Sequence, residues 1–170
     1  MIPPETNESQ AGYALNLLGA QELVNWAVDA IVSGSDSKNL RILAGLQPPF
    51  DQDEIRRLFN AILPDLPLDP LPEQLIIPTY IESILKKMLS EKLSRNEALR
   101  RLSDLCIQRN YDRALMDFYN LYYAKWDLDS GPVQWYWKDA DHSNIDQIID
   151  NFARQWLTHH AMKQNHGLSL

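Results

Sequence analysis

The sequence predicts an all-α fold, and three observations carry that prediction. Oxygen-bearing cap residues stand three positions ahead of an acid at Asp51-Gln52-Asp53-Glu54, Ser94-Arg95-Asn96-Glu97 and Ser143-Asn144-Ile145-Asp146. Such a cap accepts a hydrogen bond from a free N–H of the first turn, and the acid reaches back or sits at the positive helix end. Apolar residues at helical spacing follow each of the three signals. Only Val133 to Trp137 reads as a strand, and nothing in the sequence pairs with it. The expected architecture is a single domain over residues 1–170. It is an irregular or orthogonal bundle of six to seven helices with no significant sheet.

The elements follow in order. Residues 1–10 are polar, carry two prolines and are expected to be loosely ordered. A short helix is expected from Gly12 to Leu18. Leu23, Trp26, Ala27, Ala30 and Ile31 define a helix near Ala20 to Ser33, with Gly34 as its C-cap. Ser37 caps a short helix through Leu40, Ile42, Leu43 and Leu46, stopped by Pro48-Pro49. Asp51 opens a helix with Ile55, Leu58, Phe59 and Ile62 on one face. Pro64, Pro67, Pro70 and Pro72 make an extended crossover, and Leu66, Leu68 and Leu71 place it on the core. Ile77, Ile81, Ile84, Leu85 and Met88 form the next stripe, with Pro78 at its first turn or at a kink. Ser94 starts a helix carrying Ala98, Leu99, Leu102, Leu105 and Cys106. Asp112 is expected to cap a helix carrying Leu115, Phe118, Tyr119, Tyr122 and Trp126. After a loop from Asp127 to His142, Ser143 starts the last helix, with Ile145, Ile148, Ile149, Phe152, Trp156 and Leu157.

Composition bounds the function. Apolar residues are 45% and charged residues 23%, and the net charge is −7. That charge repels nucleic acid and anionic membranes and admits a basic protein partner. Cys106 is the single cysteine, so no internal disulfide can form, which fits a reducing compartment. The start, Met1-Ile2-Pro3-Pro4-Glu5, lacks the basic and apolar regions of a signal peptide. No apolar run approaches the roughly 18 residues that span a bilayer. The expected location is the cytoplasm.

Asp36-Ser37-Lys38-Asn39-Leu40-Arg41-Ile42-Leu43-Ala44-Gly45-Leu46, followed by the Pro-Pro break and the helix from Asp51, resembles a group of small bacterial helical proteins of unknown function. The similar part runs from about Ala20 to Trp137. The resemblance implies a bacterial cytosolic protein. It implies no particular activity, cofactor or catalytic residue.

No catalytic, cofactor or metal set can be assembled from the residues. His159 and His160 are adjacent and point about 100° apart on a helix, so they do not converge on one ion. His142 and His166 are isolated in sequence. Asp127-Leu128-Asp129-Ser130-Gly131 departs from a calcium loop at its sixth and twelfth positions, Pro132 and Lys138, and reads as a helix end with a turn. Cys106 lies on an apolar stripe and reads as a small buried hydrophobe. The glycines form no phosphate-binding pattern.

Charge is uneven along the chain. Residues 86–113 carry eight basic and four acidic groups, whereas residues 1–85 carry four and twelve. The basic stretch reads as a helix surface that pairs with acidic parts of the chain.

Aromatic residues are the remaining signal. Tyr119, Tyr122, Tyr123 and Trp126 share one side of a helix, and Trp135-Tyr136-Trp137 follows in an acidic loop with Asp139 and Asp141. A helix stripe of this kind is usually core. In an extended segment Trp135 and Trp137 would point together and leave Tyr136 on the other side, so at least one ring should be exposed. Exposed aromatic residues beside carboxylates are interface anchors. The residues assigned to a partner site are therefore Trp135, Tyr136, Trp137, Asp139 and Asp141. The functional expectation is a non-enzymatic protein-binding module, immunity-type or adaptor, that recognises a basic protein partner. The alternative is a small helical enzyme or ligand-binding protein with a pocket beneath the Tyr/Trp cluster.

Overall fold

The structure, a computed structural model, describes residues 5–66 and 70–167, the side chains of 163–167 excepted. The described residues form eight α-helices and one 3₁₀ turn and contain no strand. The helices are α1 (Thr6–Ala14), α2 (Ala20–Val32), α3 (Lys38–Ala44), α4 (Gln52–Ile62), α5 (Glu73–Leu89), α6 (Arg95–Gln108), α7 (Met116–Ser130) and α8 (Ile145–Gly167). The all-α class is as expected, and the count exceeds the expected six to seven. No described helix is long and apolar enough to cross a membrane.

The first helix starts upstream of the expected Gly12. It begins at Thr6, and Thr6, Ser9, Gln10 and Ala11 are buried along it. Asn16, at φ 58°, turns the chain away from the helical path, so α1 cannot run on to Leu18. Gly12 is needed where it stands. A Cβ there would lie 2.8 Å from Leu18 Cγ, inside van der Waals contact.

The chain divides into two compact units, Met1–Tyr80 and Ile81–Leu170. In the first, α2, α3 and α4 enclose a core of Leu23, Trp26, Ala27, Leu40, Leu43, Ile55, Phe59 and Ile62. Phe59 is fully buried, with Tyr13 at 4.6 Å and Trp26 at 5.2 Å between ring centroids. The Trp26 indole N–H donates to Thr6 Oγ1 at 3.4 Å, which ties α1 to α2. Leu66 packs on this core as the crossover reading expects, and Leu71 is half-buried. Pro67 and Leu68 lie outside the described residues.

Local capping sets the helix starts. Ser37 Oγ accepts from Leu40 N at 3.2 Å, and Asp51 Oδ1 accepts from Asp53 N at 2.9 Å and Glu54 N at 3.2 Å. Glu22 reaches back to Gly19 N at 2.9 Å, so a glutamate substitutes for a side-chain cap at the start of α2. Asp51→Ala should lower stability by about 1 kcal/mol in a denaturant titration, with Asp51→Ser restoring most of it. No measurable loss would show that packing alone holds α4.

In the second unit, α5, α6, α7 and α8 contribute Ile81, Ile84, Leu85, Leu99, Leu102, Phe118, Leu121, Ile145 and Ile149 to the buried set. Pro78 lies inside α5 beyond its first turn. Helices α6 and α7 are antiparallel neighbours. Asn96 at the start of α6 meets Asp129 at the end of α7, and Cys106 near the end of α6 meets Met116 at the start of α7. Ser94 caps α6 as expected, accepting from Glu97 N at 3.2 Å. Two other starts differ from expectation. Asp112 Oδ1 accepts from Ala114 N in a turn, and α7 begins only at Met116. Ser143 does not cap α8 with its hydroxyl, which instead donates to Asp141 Oδ1 at 2.6 Å. Asp141 also accepts from Ser143 N at 2.7 Å, while Asn144 Oδ1 accepts from Asp141 N at 2.8 Å. An aspartate turn has taken the position because the Asp141 carboxylate accepts from both the hydroxyl and the amide of Ser143, which turns that hydroxyl away from the amides of the first turn.

Candidate partner-binding surface

Helix α7 is apolar on two sides. Phe118, Leu121, Ala124 and Leu128 are buried. Tyr119, Tyr122, Tyr123 and Trp126 are centred roughly 150° further round, at about 100° per residue. The aromatic row is therefore not the core stripe that its spacing suggests. Its tyrosines are half-buried, and Trp126 is 55% exposed.

Tyr123 is the hub of this row. Its ring centroid lies 4.6 Å from Tyr119, 5.1 Å from Tyr122, 5.8 Å from Trp126 and 5.4 Å from Tyr136. Tyr111 extends the row, 5.6 Å from Tyr119. It was invisible to sequence periodicity because it sits in a turn, where Asn110 and Tyr111 both adopt left-handed backbone. Burial, foremost, pushes the Tyr119 and Tyr123 hydroxyls above the ordinary phenol range. Both therefore stay protonated at neutral pH.

The loop from Pro132 to Asn144 straddles α7 and α8. Tyr136 packs on Tyr123 of α7, and Trp137 packs on Phe152 of α8 at 5.5 Å. The segment Val133 to Trp137 is not the expected strand. Gln134 folds it into a turn. Its Oε1 accepts from Tyr136 N and Trp137 N, both at 2.8 Å, and its Nε2 donates to Trp137 O and to Ala140 O. These bonds use both amide donors and both acceptor lone pairs. Trp135 and Trp137 consequently do not share a face: Trp137 is half-buried and Trp135 is 90% exposed.

The two acids of the loop are both exposed and differ in their bonding. Asp139 holds left-handed backbone at φ 62°, and its carbonyl accepts from Asn144 Nδ2 at 2.9 Å. The Asp141 carboxylate is engaged in its turn. The hydrogen bonds from the Ser143 hydroxyl and then the Ser143 amide hold it below the ordinary carboxylate range. That stabilisation is present above the usual aspartate range and is lost as pH falls through the lowered pKa.

Gln134 escaped sequence reading because no motif marks an amide that bonds its own loop. Gln134→Ala should remove about 1–3 kcal/mol of local stability, seen as faster hydrogen exchange at the Tyr136 and Trp137 amides. Unchanged exchange at those amides would show that ring packing alone shapes the loop.

The other sequence candidates have settled places. Three arginines of the basic stretch pair on their own unit: Arg95 forms a two-pronged bond to Asp150, Arg100 meets Glu97 and Asp104, and Arg101 meets Glu97. Glu97 is held below the ordinary carboxylate range by Arg100 first and Arg101 second. Asp127 and Asp129 lie in the last turn of α7. His160 stacks on Trp156 at 4.8 Å, with Nε2 3.8 Å from Glu82 Oε2, while His142 and His159 are exposed. The His166 side chain lies outside the described residues. Among the described residues no cluster of three or more His, Cys, Asp or Glu could hold a metal ion.

Cys106 is fully buried, with Sγ 3.7 Å from Met116 Sδ, and burial raises its thiol pKa. It should resist a thiol reagent at about pH 8 in the folded protein and react once denaturant is added. Rapid labelling without denaturant would contradict the burial.

A cavity of about 220 Å³ opens on the α6 flank of the aromatic row, lined by Tyr122 and Trp126 together with Asn96, Arg100, Lys125 and Asp129. Tyr119, Tyr123 and Trp135 are not among its walls. A second cavity, about 300 Å³, lies by Met88, Leu93, Arg95, Asp150 and Arg154. Comparison with protein-family models, with curated proteins and with solved structures gives no match to this chain.

Proposed function

We propose that this chain is a non-enzymatic protein-binding module, immunity-type or adaptor, that recognises a basic protein partner. The observation that carries the reading is Trp135, 90% exposed on a loop braced by Gln134 and continuous with the aromatic face of α7. A large aromatic ring held outside its own core is a poor use of apolar area in a free monomer and an effective anchor at an interface. The bracing matters as much as the ring, because a preformed loop loses little conformational freedom on binding.

Roles divide within the loop. Trp135 and Tyr136 make contact with the partner, and Asp139 contributes negative charge at the rim. Trp137 and Asp141 hold the loop shape, through Phe152 and the Ser143 turn respectively. The net charge of −7 favours encounter with a basic surface. The same reading places the protein in a bacterial cytoplasm.

Site-specific photo-crosslinking tests it. A photoreactive residue at position 135, in cells that make the protein naturally, should give one defined protein adduct. The same residue at Val32, which is 81% exposed on α2, should not. Equal labelling from both positions would remove the special status of the aromatic loop.

A further inference from the structure

The cavity between the start of α6 and the end of α7 sets a loosely held carboxylate, Asp129, beside an exposed indole, Trp126. At about 220 Å³ it falls below the roughly 300–1,000 Å³ of small-molecule sites and suits a single residue. Its own cations are already engaged. Arg100 meets Glu97 at 2.9 Å and Asp104 at 3.1 Å, and Lys125 meets Asp146 at 3.0 Å. Asp129 is left with the longest contacts, 3.5 Å to Lys125 Nζ and 3.3 Å to Asn96 Nδ2, and its side chain is 46% exposed. The charged walls balance, Glu97 and Asp129 against Arg100 and Lys125, but both cations are also drawn to carboxylates outside the cavity, Asp104 and Asp146, which leaves Asp129 the loosely held acid. Beside that carboxylate stands the Trp126 ring, 55% exposed.

We propose that this cavity receives an arginine side chain of the partner, its guanidinium stacked on Trp126 and paired with Asp129. The inference rests on the partner-binding reading above. A guanidinium suits the site better than an ammonium, because its flat face covers an indole while its edge presents a fork to a carboxylate. An anion is disfavoured, since Arg100 and Lys125 would have to leave carboxylates that already hold them.

The test uses N-acetylarginine methylamide as a probe on isotope-labelled full-length protein, with the neutral N-acetylcitrulline methylamide as control. The arginine probe should shift the Trp126 indole N–H and the Asn96 side-chain amide saturably, and the citrulline probe should not. Trp126→Ala and Asp129→Asn should each weaken the arginine probe about tenfold. Asp129→Asn removes a negative charge from a helix C-terminal turn, so the fold tolerates it. Equal shifts from both probes, or an unchanged affinity in Asp129→Asn, would overturn the arginine site. Because position 135 lies outside the cavity, the two readings separate. Failure of the probe with crosslinking at 135 intact sinks the arginine site alone, whereas failure of crosslinking with probe binding intact sinks the partner reading and leaves only an arginine-binding cavity with no partner assigned to it.

Discussion

Phe59→Ala should lower the free energy of unfolding by about 3–5 kcal/mol. Phe59 is fully buried, and its ring meets Tyr13 at 4.6 Å and Trp26 at 5.2 Å. Truncation removes the transfer free energy of the ring and leaves a cavity that Ile55, Leu58 and Ile62 on the same helix cannot fill, because each is itself fully packed. The two aromatic contacts add to the loss, at about 0.5–1.5 kcal/mol each beyond area burial. Phe59→Leu keeps most of the volume and should cost markedly less. Urea titration followed by circular dichroism measures both variants. A loss below about 1 kcal/mol for Phe59→Ala would show that the core around α4 collapses onto the space, contrary to its packing.

Trp135→Ala should weaken partner binding by about 2 kcal/mol or more and leave stability within about 0.5 kcal/mol of the unmodified protein. Both halves follow from one fact, the 90% exposure of the ring. A ring outside its own core contributes little to folding, and its apolar surface becomes useful only against a partner. Trp137→Ala should behave in the opposite way, because Trp137 packs on Phe152 at 5.5 Å. It should destabilise the protein and affect binding only through the loop. Asp139→Asn should chiefly slow association and flatten its salt dependence. The measurements are calorimetric affinity and denaturant stability on the same variants, with the protein captured at position 135. If Trp135→Ala and Trp137→Ala destabilise the fold equally and leave binding unchanged, the loop is structural and the proposed interface falls.

Much of the helical layout was legible because capping acts within four residues. Ser37, Asp51 and Ser94 each cap the helix that their sequence context predicts. The acid of the Ser94 signal, Glu97, does something else. Its carboxylate turns to Arg100 and Arg101, since two cations one turn away outcompete a single backbone amide. At Ser143 the same chemistry was present but ambiguous. Asp141, Ser143 and Asn144 all carry cap-type oxygens within four residues; the Ser143 hydroxyl is drawn off as a donor to Asp141, and Asn144 accepts from Asp141 N.

The aromatic region was legible in composition and misleading in geometry. Periodicity detects that Tyr119, Tyr122, Tyr123 and Trp126 share a side of α7, but Phe118, Leu121, Ala124 and Leu128 make an equally regular row on another side. One helix cannot turn both rows to the same core. Which row is buried depends on what α6, α8 and the loop present to it. The alternating pattern from Val133 to Trp137 fails for a related reason. A strand needs a neighbour to take its backbone hydrogen bonds, and here the Gln134 side chain takes them within the loop.

The sequence by itself determined the all-α class, three of the helix starts, the burial of Cys106 and the exposure of at least one loop ring. These depend on hydrogen bonds or apolar spacing within a few residues along the chain. Only the tertiary structure decided that Trp135 is the most exposed ring of the loop, that Gln134 braces it, and that Asp129 keeps the longest contacts among the carboxylates at the α6–α7 cavity. Those outcomes depend on competition among groups brought together by folding, and such competition leaves no trace in local spacing.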